Sequence, residues 1–302
     1  MMKLSTMLEL INTLNAQGDS SVIDQILAQW PHDPGTTKFL RASANFICTF
    51  QSTNQNYVLR FNHDRERSAS FIAAELDYLH FLTDAGIRVA KPIPSLAGNQ
   101  VESVSTHLGL YHAVVFEALA GQQRETADLT PAQFIEWGKT LGELHRAAQH
   151  YQTPGRLTWR DHFDQIAASL PPHEQTARAA LEHLAQHLNA LPIRADNFGL
   201  IHFDFELDNL IWTPDGLGII DFDDSAWYWF AADIAFALRD LFNDRAAQVE
   251  LNHPALLAFV EGYCMAKPLA PAEIARSPAG RPVRPTLRAS PPRRVHGRCA
   301  SE

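Results

Sequence analysis

Between Gly199 and Asp233 the chain reads GLIHFDFELDNLIWTPDGLGIIDFDDSAWYWFAAD, and the placing of acid and amide groups here constrains the fold more than any other feature. Gly199-Leu200-Ile201 is a short apolar run that delivers His202-Phe203-Asp204 at its end, and Asn209 follows five residues after Asp204. Leu210-Ile211-Trp212 and Leu217-Gly218-Ile219-Ile220 have the length and character of buried strands, and Pro214-Asp215-Gly216 between them has turn chemistry. The spacing predicts a hairpin whose second strand ends by presenting Asp221-Phe222-Asp223-Asp224. Because a hairpin returns its second strand beside its first, Asp204, Asn209 and Asp221 are expected to converge at one mouth.

That geometry suits phosphoryl transfer, which needs divalent metal to neutralise phosphate oxygens and one group to orient the nucleophile. Mg2+ prefers hard oxygen ligands and often takes only one or two carboxylates besides phosphate and water. Asp221 and the amide oxygen of Asn209 meet that need, which leaves Asp204 to accept a hydrogen bond from a substrate hydroxyl. Each part alone has a plainer reading, since an isolated H-x-D is usually structural and an Asp-rich turn is usually a solvated loop. Their joint occurrence at the ends of apolar strands is what carries weight. A metal-dependent phosphohydrolase also uses H-x-D with clustered acids.

The pattern H-x-D-x-x-x-x-N, then a strand and D-F, follows the protein-kinase arrangement in outline. With Ile219-Ile220-Asp221-Phe222-Asp223-Asp224 and then Asp233-Ile234-Ala235, it resembles the aminoglycoside phosphotransferase and choline kinase-like family. The resemblance implies an α+β, bilobal protein-kinase-like fold, with an antiparallel-sheet lobe before a hinge and a mainly helical lobe after it. It also implies Mg2+, ATP or GTP as phosphoryl donor, and a small-molecule hydroxyl as acceptor. In such a site His202 fixes the catalytic loop, Asp204 orients the acceptor, Asn209 and Asp221 hold Mg2+, and Asp233 braces the loop by hydrogen bonds.

A chain of 302 residues, 46% hydrophobic and 20% charged, is long enough to bury the core of one bilobal unit or two domains. No apolar run is long enough to span a bilayer, and Met1 to Trp30 reads as amphipathic helix, with Leu4, Leu8, Ile11 and Leu14 at helical spacing, not as a signal peptide. Cys48, Cys264 and Cys299 are few and widely spaced, so neither a disulfide framework nor zinc is implied, and a cytoplasmic setting is expected. The net charge of −9 argues against a nucleic-acid surface.

Phe39 to Phe50 and Tyr57 to Phe61 read as two strands joined by polar residues 51–56. In kinase-like folds a loop here covers the nucleotide phosphates. The candidate, Arg41 to Phe46, has small residues but no glycine, and Ser43 is the candidate hydrogen-bond donor to a phosphate oxygen. Taken alone it reads equally as an ordinary strand turn. Arg60 occupies the place where the family presents a phosphate-holding lysine, and it reads either as that cation or as a strand-edge surface charge. Ser68 to Leu82 reads as a helix with Phe71, Ala74, Tyr78, Leu79 and Leu82 on its apolar side, and Glu75 within it is placed to pair with Arg60. Tyr111 to Phe116 is a strong strand leading to Glu117-Ala118-Leu119, which resembles the hinge that reads a purine edge through backbone groups, with Glu117 and Leu119 as the candidates.

Beyond the hinge, Thr130-Pro131 caps a helix running through Phe134, Trp137, Leu141 and His145, the histidine being structural in the family. His183 and His187 sit four apart at a spacing that can bind metal, but no third ligand is near them, so a solvated face is expected. Trp227 to Phe230 reads as core packing or as a pocket wall for an amine. Ile234 to Asn243 and Leu256 to Cys264 complete the helical region. Arg276 to Arg298 is rich in Arg and Pro without helical period, a composition that predicts disorder.

The division expected is a nucleotide-binding lobe over 1–118, a catalytic lobe over 119–274 and a tail over 275–302. The function expected is transfer of the γ-phosphoryl of ATP or GTP to a hydroxyl of a small acceptor such as an aminoglycoside or amino alcohol, with neither nucleic acid nor membrane as partner. The alternatives are a non-catalytic nucleotide-binding module and a metal-dependent phosphohydrolase.

Overall fold

The computed structural model describes residues 2–242 and 252–269. The tail over 275–302, for which disorder was expected, lies outside them, as does Asn243 at the end of the helix expected from Ile234. The described residues divide into two compact units, the first comprising residues 2–120 with Thr153–Gly155 and the second Gly121–Gln152 with the described residues from Arg156 onward.

The first unit is built on six strands: β1 (Lys38–Ala42), β2 (Phe46–Ser52), β3 (Gln55–His63), β4 (Pro92–Ile93), β5 (Glu102–Thr106) and β6 (Gly109–Glu117). They pair antiparallel in the order β1-β2-β3-β6-β4, with β5 also on β6. Phe46, Cys48 and Phe50 alternate inward along β2 and pack with Leu59, Phe61, Tyr111 and Val115. Helices α1 (Leu4–Ile11) and α2 (Ser21–Leu27) add Leu10, Val22 and Ile26 to that same core, and α3 (Ala69–Asp84) follows β3 with Ser68 as its N-cap.

The structure corrects two expectations here. Phe39 to Phe50 is not one strand, because the backbone reverses at the small residues Ser43 and Ala44, while most of the polar residues 51–56 stay in the ladder. Only Thr53 and Asn54, with φ of 50° and 63°, form the two-residue turn, since a ladder beyond the core needs backbone hydrogen bonds but no apolar side chains. The buried residues of α1 are Thr6 and Leu10, in line with Met2 just before the helix, whereas Leu4 and Leu8 are 67% and 45% exposed. Polar anchors set that rotation: Thr6 Oγ1 donates to Glu66 Oε1 at 2.6 Å, and the Met2 N–H donates to the Ser43 carbonyl at 3.3 Å.

In the second unit α4 (Pro131–Ala148) starts with Pro131 and a Thr130/Gln133 capping box. It lies against α8 (Pro254–Ala266) almost backbone to backbone. A Cβ added at Gly138 would fall 1.9 Å from the Phe259 carbonyl oxygen, and one at Gly262 would fall 1.8 Å from that of Ile135. Between these helices in sequence come α5 (Trp159–Ser169), α6 (Gln175–Ala190), a ribbon of β7 (Phe198–Ile201) with β10 (Ala226–Trp229), the hairpin β8 (Leu210–Thr213) with β9 (Gly216–Ile219), and α7 (Phe230–Ala237). The predicted hairpin is therefore present, with Thr213 opposite Gly216. Of the four aromatics expected as core packing or as a pocket wall, Tyr228, Trp229 and Phe230 are buried in the core formed by the ribbon and its helices, and Trp227 is half-buried. His183 and His187 are exposed. No described helix is long and apolar enough to cross a membrane.

Candidate active site

Strand β7 ends at Ile201 and the next residues turn sharply, with Phe203 at a φ of +74° that a non-glycine residue rarely adopts. Asp233, in the first turn of α7, holds that turn by accepting from the backbone N–H groups of His202 (3.0 Å) and Phe203 (2.9 Å). Its carboxylate also meets His145 Nε2 at 3.0 Å, and His145 Nδ1 lies 2.9 Å from the Tyr263 hydroxyl. All three side chains are buried. Burial pushes the His145 pKa below its ordinary value, and the hydrogen bond and charge of Asp233 oppose that shift. His145 therefore supports the loop from α4.

The His202 ring is fully buried and joins the two halves of the motif. Its Nδ1 accepts from the Asp204 N–H at 3.3 Å while Nε2 lies 3.0 Å from the Ile220 carbonyl, the residue before Asp221. One ring nitrogen accepting while the other donates is the pattern of neutral imidazole. With no exposed surface, the ring is placed to hold the loop, the role expected of it.

Asn209 ends a short 3-10 turn, and its amide Nδ2 donates to both the carbonyl and the Oδ2 of Asp204, each at 2.9 Å. With both N–H donors directed at Asp204, the amide oxygen is what Asn209 offers a cation. Its backbone carbonyl accepts from the Ile220 N–H at 3.0 Å, which extends the hairpin by one rung beyond Leu210 and Ile219. Asp221 follows at once with φ of +62°. Asp204, Asn209 and Asp221 are thus gathered by consecutive hydrogen bonds within one unit.

This donor set suits a hard divalent cation. Among the described residues no group of three or more His, Cys, Asp or Glu side chains is arranged to hold a metal, which removes an all-protein cage of those residues. One carboxylate and one amide oxygen, completed by phosphate oxygens and water, is the sparse coordination that Mg2+ accepts.

In the first unit Arg60 and Glu75 form a two-pronged pair, Nη1 to Oε1 at 2.9 Å and Nη2 to Oε2 at 2.6 Å, with only 4% and 0% of the residues exposed. Arg60 lies on β3, an internal strand, so the strand-edge surface reading is removed. Its guanidinium also lies over the Phe116 ring, 5.1 Å from the centroid. Ser43 sits in the turn between β1 and β2, where the Asn62 side chain donates to the Ala44 carbonyl at 2.9 Å. At the expected hinge, the Glu117 N–H donates to the Lys91 carbonyl (2.9 Å) and that of Ala118 to the Asn56 carbonyl (3.1 Å). Those two N–H groups are committed to backbone carbonyls, which leaves Leu119 as the candidate N–H donor of this segment.

Arg156 was missed at the level of sequence. Its buried guanidinium donates to the carbonyls of Ser225 (Nε, 3.1 Å), Phe222 (Nη2, 3.3 Å) and Asp223. A single arginine after a loop glycine carries no periodicity or motif that would single it out. The Tyr263 contact was equally silent, being 118 residues from its partner.

The sequence profile of the Phosphotransferase enzyme family matches residues 39–274. Amicoumacin kinase of Bacillus subtilis (strain 168) is 28% identical over 269 residues, covering 84% of this chain and 79% of that protein. Homoserine kinase of Caulobacter sp. (strain K31) is 27% identical over 241 residues, covering 76% and 71%. Among solved structures, amicoumacin kinase hAmiN in complex with AMP-PNP, Ca2+ and Ami superposes with a TM-score of 0.76 at 26% identity, covering 84% of this chain and 79% of that one.

Proposed function

The chain belongs to the phosphotransferase enzyme family, and on that premise we propose that it transfers the γ-phosphoryl group of ATP or GTP to a hydroxyl of a small molecule. The observation that carries the reading is the chain of hydrogen bonds through Asn209, which ties the Asp204 carboxylate to the strand end bearing Asp221.

Asp204 accepts the proton of the acceptor hydroxyl as the acceptor oxygen bonds to the γ-phosphorus and the bond from that phosphorus to the β–γ bridging oxygen breaks, releasing the nucleoside diphosphate, and the Asn209 amide fixes the direction of the Asp204 carboxylate. Asn209 Oδ1 and Asp221 would hold Mg2+. When bound, the cation neutralises charge on the phosphate oxygens. Arg60, oriented by Glu75, supplies a cation to the phosphates, with Ser43 as a further donor, and the Glu117–Leu119 segment reads the base through its backbone. His202, Asp233 and His145 hold the loop and take no proton from substrate. The acceptor is a small alcohol, the class to which homoserine belongs, and the chain works in the cytoplasm.

The test is nucleotide consumption by the full chain across amino alcohols, hydroxy amino acids, aminoglycosides and amicoumacin-type compounds, with ATP and GTP run separately. Consumption that depends on one acceptor, yields a phosphorylated product and disappears in Asp204→Asn supports the proposal. Equal consumption with and without every acceptor identifies a hydrolase, and nucleotide binding without consumption identifies a silent module.

A further inference from the structure

The turn that follows Asp221 is held from inside the protein by Arg156. Asp221 adopts a left-handed φ of +62° and hands the chain to residues 222–225, which lead into β10. Within that turn the Ser225 N–H closes on the Phe222 carbonyl at 3.0 Å, and the Phe222, Asp223 and Ser225 carbonyls all accept from the Arg156 guanidinium. The backbone beside Arg156 is tied to the same stretch, since the Trp227 N–H donates to the Leu157 carbonyl at 2.8 Å and Thr158 bridges Trp227.

Arg156 is only 5% exposed. A buried guanidinium presents donors in a rigid plane, so carbonyls that meet it are fixed relative to one another. An ammonium has three donors around one point and cannot span the same set. A carboxylate at left-handed φ directly before such a turn has its direction set by the turn's backbone.

We propose that Arg156 is a positioning residue for the candidate metal-binding carboxylate, acting on Asp221 through the carbonyls of the turn after it. The inference rests on the reading of Asp221 as a ligand of the nucleotide-bound cation. Arg156 itself touches neither metal nor nucleotide in this proposal, and its effect should appear in metal dependence.

The experiment uses the full chain, the parent beside Arg156→Lys, Arg156→Gln and Asp221→Asn, with a fluorescent ATP analogue titrated in EDTA and over a series of Mg2+ concentrations, and thermal melting alongside. Loss of a residue that orients a metal ligand weakens metal affinity by roughly 10–100-fold. Arg156→Gln is expected to raise the Mg2+ midpoint for nucleotide binding by that order, Arg156→Lys by less, and both are expected to leave metal-free nucleotide affinity near the parent's. A melting temperature lowered in Arg156→Lys with an unchanged Mg2+ midpoint overturns the proposal, as does an equal loss of affinity with and without Mg2+. If Asp221→Asn retains the parent's Mg2+ dependence, the assignment of Asp221 fails and this inference falls with it, an outcome distinct from failure at Arg156 alone.

Discussion

Asp204 and the strand end bearing Asp221 are tied together through Asn209, yet the two carboxylates are assigned different duties, and substitution separates them. Asp204→Asn keeps the shape but removes the charge that accepts the developing proton. We expect turnover to fall by ~10²–10⁴-fold, while Mg-nucleotide binding stays near the parent's. Asp221→Asn is expected to do the reverse, raising the Mg2+ requirement for nucleotide binding. Steady-state kinetics beside a metal-dependent binding titration reads both. If Asp204→Asn abolished metal-dependent binding and Asp221→Asn did not, the roles would be exchanged. In the first unit, Glu75→Ala leaves Arg60 as a buried cation without its two-pronged partner. Breaking a buried pair in this way costs ~3–5 kcal/mol, so denaturant unfolding should report a large loss of stability before any effect on nucleotide is considered. Full stability in Glu75→Ala would mean that the pair is not buried as described.

At the scale of elements, the crossing of α4 and α8 rests on glycines. Gly138 and Gly262 stand where a methyl group would enter a backbone carbonyl, and neither helix can yield locally without losing its own hydrogen bonds. Gly138→Ala removes the usual cost of glycine in a helix, ~1 kcal/mol, yet it is expected to destabilise by ~1–3 kcal/mol through overpacking. A denaturation midpoint equal to or above the parent's would show that the helices have room to separate. The same crossing carries His145 and Tyr263, so a shift of α8 is transmitted to Asp233 and to the loop it holds. The hairpin β8–β9 works differently, because its ends are brought together by its own short turn.

At the scale of the whole molecule, the buried His145 makes stability depend on pH. Its folded pKa lies below the ordinary 6.5, so below that value the unfolded chain takes up a proton that the folded chain refuses. Stability from this group is complete above about pH 6.5 and declines as pH falls below it, by up to ~1.4 kcal/mol per pH unit. Urea midpoints between pH 5 and 8 should show the decline, and His145→Gln should flatten it. A parent curve level across that range would remove the effect. What the sequence by itself determined was the part of the site with short reach. Asp204, Asn209 and Asp221 lie within eighteen residues of one another, joined by a hairpin whose turn chemistry and apolar runs leave one way to close. The pairing of a cation on a strand with an acid on the next helix was legible for the same reason, Glu75 lying fifteen positions after Arg60. Tertiary structure alone decided that Arg60 is internal, that α1 turns its Thr6 face inward, and that Arg156 and His145 reach the site from sixty-six and eighty-eight residues away. Periodicity and motif spacing report what neighbours along the chain can do together. Which distant group satisfies a buried carbonyl or carboxylate is settled only when packing removes water from both.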